Sequence, residues 1–352
     1  MLPHLKRLLI TSTSLPPSGG LEQVAWETAK RLVADYEVHL LTTEGSGVQI
    51  KDQVNIHSIP PKHPYTLWYS TFLKRRLDQA LASISPSILH FHQPLPWAYV
   101  FANAKCAKVL SCHGLYFYET SKRPRRSYPN RLLLPRAIRN VDIVCAPSKW
   151  LADYIEEEYK VECTVLPNGV NTSTFAPIEG ANSRSNVILY VGRFVANKGL
   201  REIFEAAKVL REYEFWLVGD QRSGTVKAPS LPNIKLMGLI EHDDLNRYYN
   251  QASVCVFPSY WETFSIVGLE AMACGRAIIA TKLGFSEYLE NERDGLVVEP
   301  GRTDELIESI RYLMQNESAR SRIERNARET ALKFDWNIII DRYRALYENC
   351  SD

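Results

Sequence analysis

Two glutamates, Glu262 and Glu270, stand eight residues apart in FPSYWETFSIVGLEAMACGRAIIAT, residues 257–281. The segment reads as a strand end, a short polar turn and a helix opening near Phe264, with Glu262 just before the opening and Glu270 about two turns beyond Glu262. A helix N-terminus offers unpaired N–H groups and partial positive charge, which suit a phosphate or diphosphate. A carboxylate beside that end repels such an anion, so the glutamates suit sugar hydroxyls flanking a diphosphate better than the phosphates. Glu270 lies in GLEAMACG among apolar and small residues, where a buried carboxylate needs hydroxyl or N–H partners. A nucleotide-sugar site is the chemistry implied.

The elements that must position these residues repeat. Arg7–Thr11 reads as a strand, followed by the loop SLPPSGGLE, a helix over Glu22–Ala34 and a strand at Glu37–Thr42. The phrase returns with a strand at Val187–Val191, the loop GRFVANKG, a helix over Leu200–Arg211 and a strand at Glu214–Val218. Further strands are expected at Val54–Ser58, Ile88–Phe91, Ala107–Ser111, Asp142–Ala146, Glu162–Leu166, Ile234–Met237, Ser253–Phe257, Ala277–Ala280 and Leu296–Val298. Strands alternating with helices imply βαβ units and parallel sheets. The fold class is α/β, with two Rossmann-like doubly wound domains facing across a cleft. The expected limits are 1–170, a Ser-, Asn- and Pro-rich linker at 171–186, 187–335, and a final helix from Trp336 to 352 crossing back to the first domain. A chain of 352 residues with 45% hydrophobic content is large enough for two cores.

In open α/β sheets ligands sit outside the carboxyl ends of the strands. Gly19 and Gly20 follow the first strand and His113 follows Ala107–Ser111. Arg193 and Lys198 follow Val187–Val191, Gly238 follows Ile234–Met237, and Glu262 follows Ser253–Phe257. Gly19–Gly20 permits close backbone approach but is also a plain turn, and it is not a GxGxxG fingerprint. Arg193 and Lys198 are suited to clamp a diphosphate, the first as a fork and the second as a point charge. His113 is suited to a sugar hydroxyl or to tuning charge at the reacting carbon. His90 and His92 alternate on one strand face and are further candidates, or one is a core histidine.

Charge divides unevenly, with +6 over residues 1–170 and −4 over 171–352 making up the net +2. Much of the excess is Lys122, Arg123, Arg125, Arg126, Arg131, Arg136 and Arg139, with no acidic residue between Thr120 and Val141. Leu132, Leu133, Leu134 and Ile138 are interleaved with it. The segment reads either as a solvated face or as an amphipathic surface for anionic lipid or an anionic acceptor, with Arg123, Arg125, Arg126 and Arg131 as contacts. No apolar run approaches the roughly 18 residues of a membrane span, and MLPHLKRLLITST enters a strand too soon for a secretory signal. Seven cysteines without a CxxC pair indicate neither a zinc site nor a disulfide framework. The expected location is the cytoplasm, with peripheral contact at the inner membrane face. Asp243–Asp244 read as helix-start residues, and neither metal, cofactor nor nucleic acid is expected.

Taken together, these motifs resemble those of the family 4 retaining glycosyltransferases of GT-B architecture. The resemblance rests on SGGLE, CHG at 112–114, PNGVN at 167–171, GRFVANKG at 192–199, the E-x7-E pair in ETFSIVGLE and DGLVVEPG at 294–301. It implies that Arg193 and Lys198 hold the donor diphosphate, Glu270 binds the ribose hydroxyls and Glu262 lies near the transferred sugar. The amides of Phe264, Ser265, Ile266 and Val267 face sugar and phosphates, Gly20 lies against the diphosphate, and His113 contacts the donor sugar near its anomeric centre. Main-chain groups around Gly238–Ile240 carry the base. The implied reaction moves a hexosyl group from a UDP- or GDP-linked donor to a hydroxyl acceptor, lipid-linked acceptors included, without an obligatory metal. Gly114, Ser265 and GDQ at 219–221 depart from commoner family residues and bear on donor-sugar identity. The alternatives are an epimerase of the same fold, which needs no acceptor, and a non-catalytic nucleotide-sugar-binding protein.

Overall fold

The computed structural model describes residues 5–15, 19–59, 71–114, 133–180, 186–220 and 226–350. The chain divides into two compact units, residues 1–167 with 339–352, and residues 168–338.

The first unit is built on β1 (Arg7–Thr11), β2 (Glu37–Thr42), β3 (Gly47–Lys51), β4 (Val54–Ser58), β5 (Ile88–Phe91), β6 (Ala107–Ser111), β7 (Ile143–Ala146) and β8 (Cys163–Val165). Their order across the sheet is β3-β4-β2-β1-β5-β6-β7-β8. All neighbours are parallel except β3 and β4. Parallel strands are covered on both faces, which is why RLLIT and ILHF are nearly continuous apolar runs. Leu9, Leu89, Phe91 and Leu110 join Trp97, Phe101 and Ile155 in the core. Each such side chain contributes roughly 1.5–3 kcal/mol when fully buried. The final helix, Trp336–Glu348, delivers its residues from Ile339 onward to this unit. There Tyr343 and Tyr347 are fully buried.

β3 is an addition to the expected strands. A two-residue turn, Asp52 and Gln53 at φ 50° and 64°, folds it back onto β4. Both central residues at positive φ give the tight hairpin its right-handed twist. Asn-Gly is the usual signal for that turn and is absent here.

The second unit contains β9 (Val187–Val191), β10 (Glu214–Val218), β11 (Ile234–Gly238), β12 (Val254–Phe257), β13 (Ala277–Thr281) and β14 (Leu296–Val298). The order is β11-β10-β9-β12-β13-β14, and every pairing is parallel. The stretch expected as a linker needs correction over 171–180, which packs into this unit. Phe175 is buried in its core, Thr172 bonds Asp335, and the Ile178 amide donates to Asn250 at 2.9 Å. Its Ser, Asn and Pro content reflects side-chain-capped turns, as where Asn171 Oδ1 accepts from the Ser173 and Thr174 amides. PNGVN ties the unit's beginning to its end, since Val170 exchanges backbone bonds with Phe334 and Trp336.

The basic segment also needs correction. Leu134 and Ile138 are core residues of the first unit, so that part of its apolar face is used internally. Leu132, Arg123, Arg125, Arg126 and Arg131 lie outside the described residues.

Each sheet has one place where chain progression reverses. In the first unit it falls between β1 and β5, and in the second between β9 and β12. Loops diverge there beyond the strand ends and leave a crevice.

Candidate active site

In the second unit, the loops leaving β9 and β12 carry Arg193, Lys198 and Glu262. Lys198 ends a short 3₁₀ turn, Ala196–Lys198, and Gly199 follows in a left-handed conformation at φ 69°. A Cβ on Gly199 would stand 1.9 Å from the Pro258 carbonyl oxygen. Only glycine lets the β9 loop press this closely on the β12 loop. The approach is fastened by the Tyr260 amide, which donates to the Asn197 carbonyl at 2.8 Å. Lys198 Nζ consequently meets Glu262 Oε1 in an ion pair, with both side chains 15% exposed. Ser259 Oγ donates to the same oxygen at 3.3 Å. On the far side, Gly284 at φ 82° leaves no room for a Cβ, which would fall 2.1 Å from Glu262 Cβ. Arg193 is exposed.

The helix begins at Ile266, two residues later than expected, because Ser265 is its cap and accepts from the Gly268 amide at 3.4 Å. Glu262 therefore sits in the loop and Glu270 in the helix's second turn. The expectation that four consecutive amides face a ligand is corrected at Ser265, whose N–H donates to the Gly284 carbonyl at 2.9 Å. The Phe264 side chain is core, packed on Tyr288 and Phe334. The amides of Ile266 and Val267 fall among the first N–H groups that have no partner within a helix.

Glu270 is 2% exposed. Its Oε1 accepts from His242 Nε2 at 2.7 Å and its Oε2 from the Tyr249 hydroxyl at 2.9 Å. Burial first, and then Glu270, push the Tyr249 phenol well above its ordinary range, so it stays a donor. Each carboxylate oxygen keeps a lone pair for a further donor. His242 follows the segment Gly238–Ile240 by two residues, which ties that segment to Glu270. Gly238 is exposed and its carbonyl accepts from the Gly219 amide at 2.8 Å, while Ile240 packs on the core. Nothing local in the sequence marks His242 or Tyr249 as partners of Glu270. The only signal was the requirement that a buried Glu270 have N–H and hydroxyl partners.

In the first unit, Gly19 caps the helix Gly20–Arg31 after β1. Thr13 Oγ1 donates to Glu22 Oε1 in that helix's first turn at 3.1 Å. Gln93, after β5, donates to Thr13 Oγ1 at 3.5 Å, so the two loops flanking the reversal point meet. His113, after β6, lies 2.9 Å from His92 Nδ1 through its Nε2, with the rings stacked at 5.1 Å. Burial lowers His113 to about 4, and burial, with the repulsion a protonated His113 would add, lowers His90 to about 3. The imidazoles are therefore neutral at neutral pH.

Two family models match this chain. Glycosyltransferase Family 4 covers residues 18–174 and Glycosyl transferases group 1 covers residues 185–316. The chain belongs to the family 4 glycosyltransferases. An uncharacterized glycosyltransferase of Methanocaldococcus jannaschii is 28% identical over 99% of both chains. A phosphatidyl-myo-inositol mannosyltransferase of Propionibacterium freudenreichii is 26% identical over 78% of this chain and 72% of its own. The solved structure of Anabaena HepE with UDP and glucose superposes with a TM-score of 0.81 at 17% identity, covering 98% of this chain and 100% of that one. That likeness establishes the fold, two parallel-sheet α/β units of GT-B type. The glycosyltransferase is thus an enzyme that transfers sugar groups. No described helix is long and apolar enough to cross a membrane.

Proposed function

We propose that the enzyme moves a hexosyl group from a UDP- or GDP-linked sugar to a hydroxyl acceptor, with retention and without a divalent metal. The observation that carries this reading is the convergence of Lys198 and Glu262 at the chain-reversal point of the second sheet, beside a helix start. When the anomeric carbon–oxygen bond breaks, the departing nucleoside diphosphate gains negative charge on its β-phosphate. Lys198, Arg193 and the amides of Ile266 and Val267 are the groups that stabilise that charge. Because Lys198 is paired with Glu262 in the free enzyme, donor binding exchanges one anionic partner for another and releases Glu262 toward the transferred sugar. Glu270, already held by His242 and Tyr249, accepts from the ribose hydroxyls. Main-chain groups of Gly238–Ile240 take the base. Gly19 and Gly20 approach the diphosphate, and His113 contacts the donor sugar. The acceptor oxygen bonds to the anomeric carbon on the face the phosphate leaves, and its proton passes to the departing phosphate oxygen.

UDP in the HepE structure supports the uridine form of the donor. The mannosyltransferase relative supports a lipid-linked acceptor. The basic residues Arg123, Arg125, Arg126 and Arg131 then serve by charge toward an anionic surface. Arg125 and Arg126 exchanged for Glu should weaken binding to phosphatidylserine vesicles, and unchanged binding removes the membrane role. The donor reading is tested by slow hydrolysis of UDP-glucose, UDP-N-acetylglucosamine, GDP-mannose and ADP-glucose, with and without EDTA. Cleavage of one UDP or GDP donor in EDTA, lost in Glu270→Ala, is the expected result. Cleavage that requires added metal, or persists in the variant, contradicts it.

A further inference from the structure

The described residues of the first unit place three histidines in one chain of contacts that the reaction above uses only at its end. His90 and His92 are fully buried, with ring centroids 4.4 Å apart and the planes tilted by 32°. His90 is anchored at both nitrogens, Nδ1 to the Tyr347 hydroxyl at 2.6 Å and Nε2 to Ser111 Oγ at 2.8 Å. His92 Nδ1 meets His113 Nε2 at 2.9 Å, while its Nε2 is buried and meets no hydrogen-bond partner among the described residues.

That geometry decides where the protons lie. A neutral imidazole has one N–H and one bare nitrogen. If His113 donated from Nε2, the proton of His92 would sit on its own Nε2, as a buried N–H with no acceptor among the described residues. Orphaned buried N–H groups are the rarest kind of unsatisfied polar group. If His92 donates from Nδ1, only a bare nitrogen is left without a partner, and His113 Nε2 becomes the acceptor. The proton of His113 then occupies Nδ1. We propose that His92 is a positioning residue that fixes His113 as its Nδ1–H tautomer, so that His113 acts toward the donor sugar as a neutral hydrogen-bond donor and not as a base. The lowered proton affinity of both rings keeps the arrangement uncharged at neutral pH. Tyr347, on the C-terminal helix, and Ser111 hold His90 against His92 and so support it from behind.

This inference rests on the assignment of His113 to the donor sugar, and the experiment separates the two. Two-bond ¹H–¹⁵N correlation spectra of histidine-labelled enzyme, with signals assigned through His113→Asn and His92→Asn, report the tautomer directly in the wild type. A protonated Nδ1 and bare Nε2 on His113 are expected, and the reverse pattern overturns the proposal whether or not any variant folds. In hydrolysis of UDP-glucose or GDP-mannose, His92→Phe should lower kcat about tenfold, the size of one lost buried hydrogen bond, and leave KM within about twofold. His92→Asn, whose amide reaches the Nδ1 position, should restore most of that loss. Full activity in His92→Phe beside an inactive His113→Ala refutes the inference alone. Full activity in His113→Ala refutes the assignment of His113 to the sugar, and the spectrum still decides the tautomer.

Discussion

The chain-reversal points of the two sheets are built from opposite materials. In the second unit, Lys198 and Glu262 form a half-buried ion pair and Glu270 is a buried carboxylate with two donors. In the first unit, glycines follow β1, and imidazoles held neutral by burial lie at the ends of β5 and β6. An anionic ligand group costs less to bind where a buried cation is already in place to meet it. Neutral donors suit hydroxyls. The second unit's groups thus suit a charged ligand group, and the first unit's suit hydroxyls.

The largest effect is expected from removing charge in the second unit. Lys198→Ala is expected to lower donor turnover by roughly 10²–10³-fold or more, the scale of losing a group aimed at developing charge. Circular dichroism should confirm that the fold is retained. Near-normal turnover would remove Lys198 from the reaction. Glu270→Gln keeps shape but not charge, and should weaken donor binding while leaving the core packed.

A smaller effect probes how Glu270 is held. Tyr249→Phe deletes the bond to Oε2 and should weaken nucleotide binding about tenfold, because hydrogen bonds to charged groups contribute roughly 1.5–3 kcal/mol. An unchanged dissociation constant in calorimetry would mean that His242 alone orients the carboxylate.

The first unit is sharpened by pH. His90 and His113 titrate near 3 and 4 when folded, against an ordinary 6.5. The unfolded chain therefore binds protons below about pH 6.5 that the folded rings refuse, and the native state loses stability as pH falls toward 4 and then 3. Urea unfolding at pH 7.5 and 5.5, followed by hydrogen exchange in peptides spanning residues 88–113 and 254–281, should show the larger acid loss in the first. His113→Asn should flatten that slope. Equal slopes in both units would contradict the neutral-imidazole description.

The smallest expected change is at the surface of the C-terminal helix. Arg344 pairs with Asp35 at 2.8 Å, with each side chain about a third exposed (34% and 38%). Asp35→Asn should cost under about 1 kcal/mol in urea unfolding, as exposed pairs do.

Much of this arrangement is legible in the sequence. The βαβ alternation implies parallel strands, and it places Arg193, Lys198 and Glu262 in loops that follow strands, because backbone periodicity is a local property. Departures occur where tertiary contact outweighs local pattern. Ser265 delays the helix start because its hydroxyl caps it. Leu134 and Ile138 are apolar enough for a membrane face, yet the first core claims them. Asp52–Gln53 makes a hairpin turn without the glycine that signals one. His242 and Tyr249 carry no local mark of partnership with Glu270, from which they are 28 and 21 residues distant. A buried carboxylate announces that partners exist but not which.

Whether Lys198 exchanges Glu262 for a donor diphosphate is decided by calorimetric titration of UDP and GDP into the wild type, Lys198→Ala and Glu262→Gln. The preferred nucleotide should bind more weakly to Lys198→Ala and more tightly to Glu262→Gln, whose lysine is released from its carboxylate. Equal affinity in all three proteins, or loss of binding in Glu262→Gln, would contradict that exchange.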